Sequence, residues 1–103
     1  MHTPTPDETV LAHDQFEAIV ETLRRDFWRL FPHLRELEHE CFFVSRNDDG
    51  LSGKVWIEFD TMRNGETVRR RITMIIKENR PVRRLEEVVD SHGQLENTDF
   101  VII

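Results

Sequence analysis

From Phe16 onward, apolar residues recur at steps of three and four: Phe16, Ile19, Val20, Leu23, Phe27, Leu30, Phe31 and Leu34. That period places them on one face of an α-helix. Glu17, Glu21, Arg24 and Arg25 fall on the opposite face, with Glu21 and Arg25 spaced to pair. Pro32 predicts an end or a kink near Phe31. Two start signals precede the helix: Thr5-Pro6 with Glu8, and Asp14 with Glu17. Residues 1–6 read as a loose tail.

After PHLRELE the period changes. ECFFVSR, residues 40–46, is short, aromatic and β-branched, and NDDG follows as a turn signal. LSGKVWIEFDTM, residues 51–62, then alternates, with Leu51, Val55, Ile57 and Phe59 on one face and Ser52, Lys54, Trp56, Glu58 and Asp60 on the other. Asn64-Gly65 is a strong signal for a two-residue hairpin turn, and TVRRRITMIIKE is the returning strand. These three segments predict an antiparallel meander.

PVRRLEEVVDSHG, residues 81–93, reads as a second, shorter helix. Pro81 suits a first helical position, Val82, Leu85, Val88 and Val89 share a helical face, and Gly93 suits the residue past the end. A fourth strand is the competing reading. TDFVII is too apolar for a free tail and is expected to add a last strand or to dock on another subunit. The fold class is thus α+β, one domain over residues 1–103. A long N-terminal amphipathic helix packs on an antiparallel β-meander, followed by a short helix (or fourth strand) and a C-terminal strand.

With Asn64-Gly65 as the turn, Arg63 faces Glu66 and the register follows. Asp60 lies opposite Arg69, Glu58 opposite Arg71, Trp56 opposite Thr73, Ile57 opposite Ile72, and Val55 opposite Met74. The run of Arg69, Arg70 and Arg71 could suggest a phosphate-binding strip, but two of the three face carboxylates across the ladder. Such pairs contribute roughly 0.2–1 kcal/mol each and neutralise the local field. Arg70 alone falls on the core face, opposite Phe59. Its stem is expected to cover the core margin with the guanidinium in water; the sharper alternative is an anchor for an anionic ligand.

Composition narrows the function classes. Twenty Asp and Glu against fourteen Lys and Arg give a formal net charge of −6. That opposes general binding to nucleic acid or anionic membranes. The third-ranked reading, nucleic-acid contact through Arg69, Arg71, Arg80, Arg83 and Arg84, works against this balance. Cys41 is the lone cysteine, and no secretory h-region or spanning run is evident, which predicts a reducing, cytoplasmic setting. His39 and Cys41 are expected to alternate on one strand face near His33, without metal-ligand spacing. The same flanking Phe42-Phe43-Val44 predicts that Cys41 is buried and not a nucleophile. No phosphate-cradling glycine loop, complete calcium loop or cofactor motif is present, and no metal or cofactor is expected.

Trp56 and Ile75 share the predicted outer sheet face, and a large ring there marks contact surface. The expectation is a small, acidic, non-enzymatic protein-binding module, an inhibitor, adaptor or accessory subunit, with a homodimer among its expected forms. Its partner-binding residues would be Trp56, Ile75, Lys54, Glu58, Val101 and Ile103, with Ile102 beside them; its acidic surface could also imitate nucleic acid. The alternative is a small-molecule or enzymatic pocket between curved sheet and helix, with Arg70 and His39 as polar groups.

Overall fold

The computed structural model describes residues 14–90, 92–93 and 95–101. Helix α1 spans Gln15–Leu30 and starts at the second of the two predicted signals. The Asp14 side chain accepts from the Glu17 N–H at 3.1 Å, satisfying one of the donors a helix N-terminus leaves open. Arg46, at the far end of the first strand, grips the same carboxylate at 2.9 and 3.1 Å. The Arg46 hydrogen bonds, with the Glu17 N–H, hold the Asp14 carboxyl below the usual range. The earlier start signal and the tail lie outside the described residues.

α1 buries Phe16, Val20, Leu23 and Phe27 of the predicted apolar stripe and half-buries Ile19, while Leu30 is exposed and Phe31 and Leu34 lie beyond the end of the helix. It stops where Pro32 removes a donor, and a 3₁₀ segment, Pro32–Leu37, continues the chain with Leu34 buried. A single helical turn, Glu38–Cys41, follows. This corrects the expected strand: it begins at Phe42, and His39 and Cys41 do not alternate on a strand face. Leu34 and Cys41 are seven residues apart, so helical winding buries both together, and the Cys41 S–H donates to the Leu34 carbonyl at 3.6 Å. His39 is left exposed.

Five strands then form one antiparallel sheet in sequence order: β1 (Phe42–Arg46), β2 (Gly53–Arg63), β3 (Glu66–Lys77), β4 (Arg80–Val89) and β5 (Leu95–Val101). Strand β2 starts two residues later than the alternation suggests, leaving Leu51 exposed in the preceding turn. The β2–β3 register is the predicted one at every pair, from Arg63 opposite Glu66 to Val55 opposite Met74. Asn64 and Gly65 both take positive φ (53° and 81°), as the tight turn requires.

The second helix does not form; residues 80–89 are strand β4. A second two-residue turn makes it so. Glu78 and Asn79 have φ of 50° and 58°, which closes Lys77 against Arg80 and aims the chain back along β3. The second long strand of the hairpin, β3, otherwise leaves a row of unpaired backbone groups, and β4 satisfies them over Arg69–Lys77. Val82, Leu85, Val88 and Val89 fit a helical stripe, yet in β4 Leu85 and Val88 fall on opposite faces. The meander therefore has five strands, not three.

One sheet face carries Phe42, Val55, Ile57, Phe59, Ile72 and Met74, and α1 packs on it. Phe16, Ile57, Ile72, Ile76 and Val55 are fully buried. Each such side chain contributes roughly 1.5–3 kcal/mol relative to exposure. Gly53 is a packing requirement inside a strand: a Cβ there would lie 2.1 Å from the Ser45 carbonyl oxygen and 3.0 Å from the Phe16 ring. The other face, called outer below, points away from α1.

Candidate functional site

The outer face is organised in register rows that cross the strands. Phe43, Trp56, Thr73 and Leu85 form one row over β1–β4. The Phe43 and Trp56 rings stack at 5.5 Å with 22° between planes, and Trp56 Nε1 donates to Glu58 Oε1 at 3.1 Å. Lys54, Ile75 and Arg83 form the adjacent row, which register extends to Val101. On the other side run Glu58, Arg71 and Glu87. Together these rows shape a shallow hollow of about 210 Å³, lined by Trp56, Ile75, Leu85 and Thr73 with Lys54, Glu58, Arg71 and Glu87. Phe43, Trp56, Ile75 and Leu85 are all half-buried.

The three-arginine run resolves here. Arg69 bonds Glu58 at 3.0 Å and Asp60 at 3.2 Å, while Arg71 reaches Glu58 at 2.8 Å and Glu87 at 3.9 Å. Glu58 is the hub. Burial alone would push its carboxyl up, but Arg69, Arg71 and the Trp56 N–H outweigh that and hold it below the usual range. These arginines are thus engaged with carboxylates, as the register argument expects.

Arg70 lies on the α1 side, half-buried, with its guanidinium carbon 5.6 Å from the Phe59 ring centre and 5.8 Å from that of Phe31. Its place is the margin of the aromatic core, where cation–π contact and packing of the stem coincide. A cleft of about 620 Å³ does open between α1 and the sheet, but Arg70 does not line it. Its apolar floor is Leu23, Phe27, Leu30, Ile72 and Met74; its charged walls are Asp26 and Arg29 on α1, and Arg84 and Glu86 on β4. Arg84 and Glu86 pair with each other at 2.6 Å. His39 lines neither hollow nor cleft.

Two outer-face residues, Phe43 and Leu85, escape the sequence reading. Phe43 joins Trp56 only once β1 is registered on β2, and the loop between those strands is not a two-residue turn that would set it. Leu85 is hidden by the helical reading of its segment. Val101 sits in β5 opposite Arg83, and Ile102 and Ile103 lie outside the described residues. The arrangement brings Trp56, Ile75, Lys54 and Glu58 together as the sequence suggests, and keeps Arg70 and His39 apart from them.

Among the described residues, no three His, Cys, Asp or Glu side chains gather as a metal site, and no helix is long and apolar enough to cross a membrane. The Cys41 thiol is pushed up by burial, with Glu38 and Glu40 adding to the effect, so it is poorly suited to act as a thiolate nucleophile. Comparison with protein-family models, curated proteins and solved structures finds no match for this chain.

Proposed function

We propose that this chain is a small non-enzymatic protein-binding module, an inhibitor, adaptor or accessory subunit, that engages its partner through the outer face of the sheet. The carrying observation is the Phe43–Trp56 stack continued by Ile75 and Leu85, on a face that no described helix covers. Apolar area of this kind within a polar rim is the anatomy of a contact surface. Lys54, Glu58, Arg71 and Glu87 supply rim charges of both signs, and an aromatic near the centre is the usual energetic anchor. The Arg69 and Arg71 pairings with carboxylates weigh against a nucleic-acid role, since a phosphate would have to displace them.

Photo-cross-linking tests this. A cross-linker at position 75 should capture a specific partner, and Trp56→Glu should abolish capture with the circular dichroism spectrum unchanged. Leu30→Glu, at the exposed rim of the α1 cleft, should leave capture intact. Capture that ignores Trp56→Glu but fails with Leu30→Glu would move the binding site to the cleft.

The cleft favours one second reading. Its volume of about 620 Å³ falls within the range of small-molecule sites, with an apolar floor and a few polar groups. An amphipathic ligand would lie on Phe27 and Met74 and exchange partners with Arg84 and Glu86. Methyl NMR shifts at Leu23, Leu30 and Met74 on screening amphipathic ligands would support this reading; a silent cleft would leave the protein-binding one alone.

A further inference from the structure

The edge of the sheet at β5 is distinct from the outer face, and no described strand lies beyond it. Hydrogen bonds in an antiparallel sheet alternate, so each residue aims its N–H and C=O at one neighbouring strand only. The two-residue turn at Asn64-Gly65 makes Arg63–Glu66 a bonded pair. Counting from it, Ile72 and Arg70 bond to β2, while Arg69, Arg71, Thr73 and Ile75 bond to β4. On β4 the bonds to β5 then come from Arg84, Glu86 and Val88, opposite Phe100, Thr98 and Glu96. Leu95, Asn97, Asp99 and Val101 therefore aim their backbone groups outward, and no described strand pairs with them.

The opposite edge is managed differently. Strand β1 is only five residues long, follows a helical turn, and ends at Arg46, whose side chain is tied to Asp14 and to the Gly50 carbonyl. β5 has seven residues and no Pro, Gly or Lys, the usual protections of an exposed edge.

We propose that β5 pairs antiparallel with β5 of a second copy of this chain, with Thr98 on the two-fold axis. The occupant follows from self-complementarity. The four outward residues are symmetric about Thr98, so this register pairs Leu95 with the partner's Val101 and Asn97 with the partner's Asp99, and every outward group is satisfied. Centring on Asp99 would set two acidic residues face to face, and centring on Asn97 would leave Val101 unpaired. Glu96, the other acid of the strand, is already held by Arg63 at 2.9 Å. The two-fold is perpendicular to the sheet, so the dimer is one ten-stranded sheet with both α1 helices on the same side. The two clefts beside Arg84 and Glu86 then face each other across the joined β4–β5 floor.

Proline scanning of the strand tests this with unusual selectivity. Asn97→Pro and Asp99→Pro each remove one outward N–H and leave the bonds to β4 intact; Thr98→Pro removes a bond to β4 instead. Light scattering should give twice the 12.3 kDa chain mass for the wild type, and the chain mass itself for Asn97→Pro and Asp99→Pro, with unchanged circular dichroism. In the wild-type dimer, amide exchange should protect Leu95, Asn97 and Asp99 as well as Glu96 and Thr98; dilution to monomer should restore fast exchange at the odd-numbered positions alone. Trp56→Glu should leave the dimer whole, which separates this proposal from the outer-face reading. A wild type that stays monomeric at its highest soluble concentration overturns the proposal. So does a dimer whose odd-numbered β5 amides still exchange fast, whatever the proline variants do.

Discussion

The β2–β3 and β4–β5 pairs are both antiparallel, yet they are held by different means. In β2–β3 the turn residues, the cross-strand charges and the alternation agree. The α1-facing side of this pair carries Val55, Ile57, Phe59, Val68, Ile72 and Ile76, all buried. In β4 no residue is buried: Arg84, Glu86 and Val88 face the α1 side only half-covered. The first pair is a consistent local design that the helix then seals. The second is recruited by hydrogen bonding to an existing edge, and its β4 side chains are only partly covered, which leaves room for a cleft and for an unpaired margin.

That contrast can be broken most directly in the core. Phe16→Ala, beneath β2, is expected to cost about 3–5 kcal/mol, and Ile57→Ala about 2–5 kcal/mol, in urea unfolding. Val88→Ala on half-exposed β4 should cost less than about 1 kcal/mol. Equal losses at Ile57 and Val88 would show that β4 is sealed as tightly as β2, and the distinction would fall.

Gly53→Ala comes next. Its new Cβ would meet the Ser45 backbone oxygen at 2.1 Å, so β1 must shift or detach, with an expected loss of about 1–3 kcal/mol by overpacking. Near wild-type stability would mean that β1 adjusts freely.

The electrostatic hub gives a smaller, pH-dependent effect. The folded-state carboxyl of Glu58 lies below its ordinary 4.5, so its stabilising contribution is present above that pH and is lost as pH falls through the lowered value. Glu58→Gln removes this contribution. The stability gap between wild type and variant should therefore be widest near neutrality and close on acidification, as urea midpoints at stepped pH would show. A gap independent of pH would mean that Glu58 acts by packing alone.

The turns sharpen the comparison at the lowest amplitude. Glu78 holds φ of 50°, a left-handed conformation that costs a side-chain-bearing residue about 1 kcal/mol or more. Glu78→Gly should raise stability by up to about 1 kcal/mol and leave β4 in register, because the backbone N–H at 78 still reaches the Ser52 hydroxyl at 3.1 Å. No gain, or a loss, would show that the Glu78 side chain contributes what the strain removes.

Several features are legible in the chain itself, each for a local reason. The α1 stripe and its Asp14 cap depend on residues within a few turns, and the β2–β3 register depends on Asn64-Gly65 and alternating side chains. The charge pairing of Arg69 and Arg71 follows from that register, and so does the placement of Arg70 beside Phe59. Trp56 and Ile75 on one face follow from the same parity. These are short-range facts, and short-range physics determines them.

Other features needed the assembled molecule. Residues 80–89 satisfy both a helical stripe and a strand, and the free edge of β3, with the Glu78-Asn79 turn, selected the strand. Cys41 and His39 wind into a helical turn because the core beside Leu34 takes the Cys41 side chain. Phe43 and Leu85 join Trp56 only through the ladder pairings β1–β2 and β3–β4, and the cleft of Arg84 and Glu86 exists because α1 is too narrow to cover five strands. Periodicity states which residues an element would bury; which element forms, and what remains uncovered, depends on backbone groups elsewhere that must find partners.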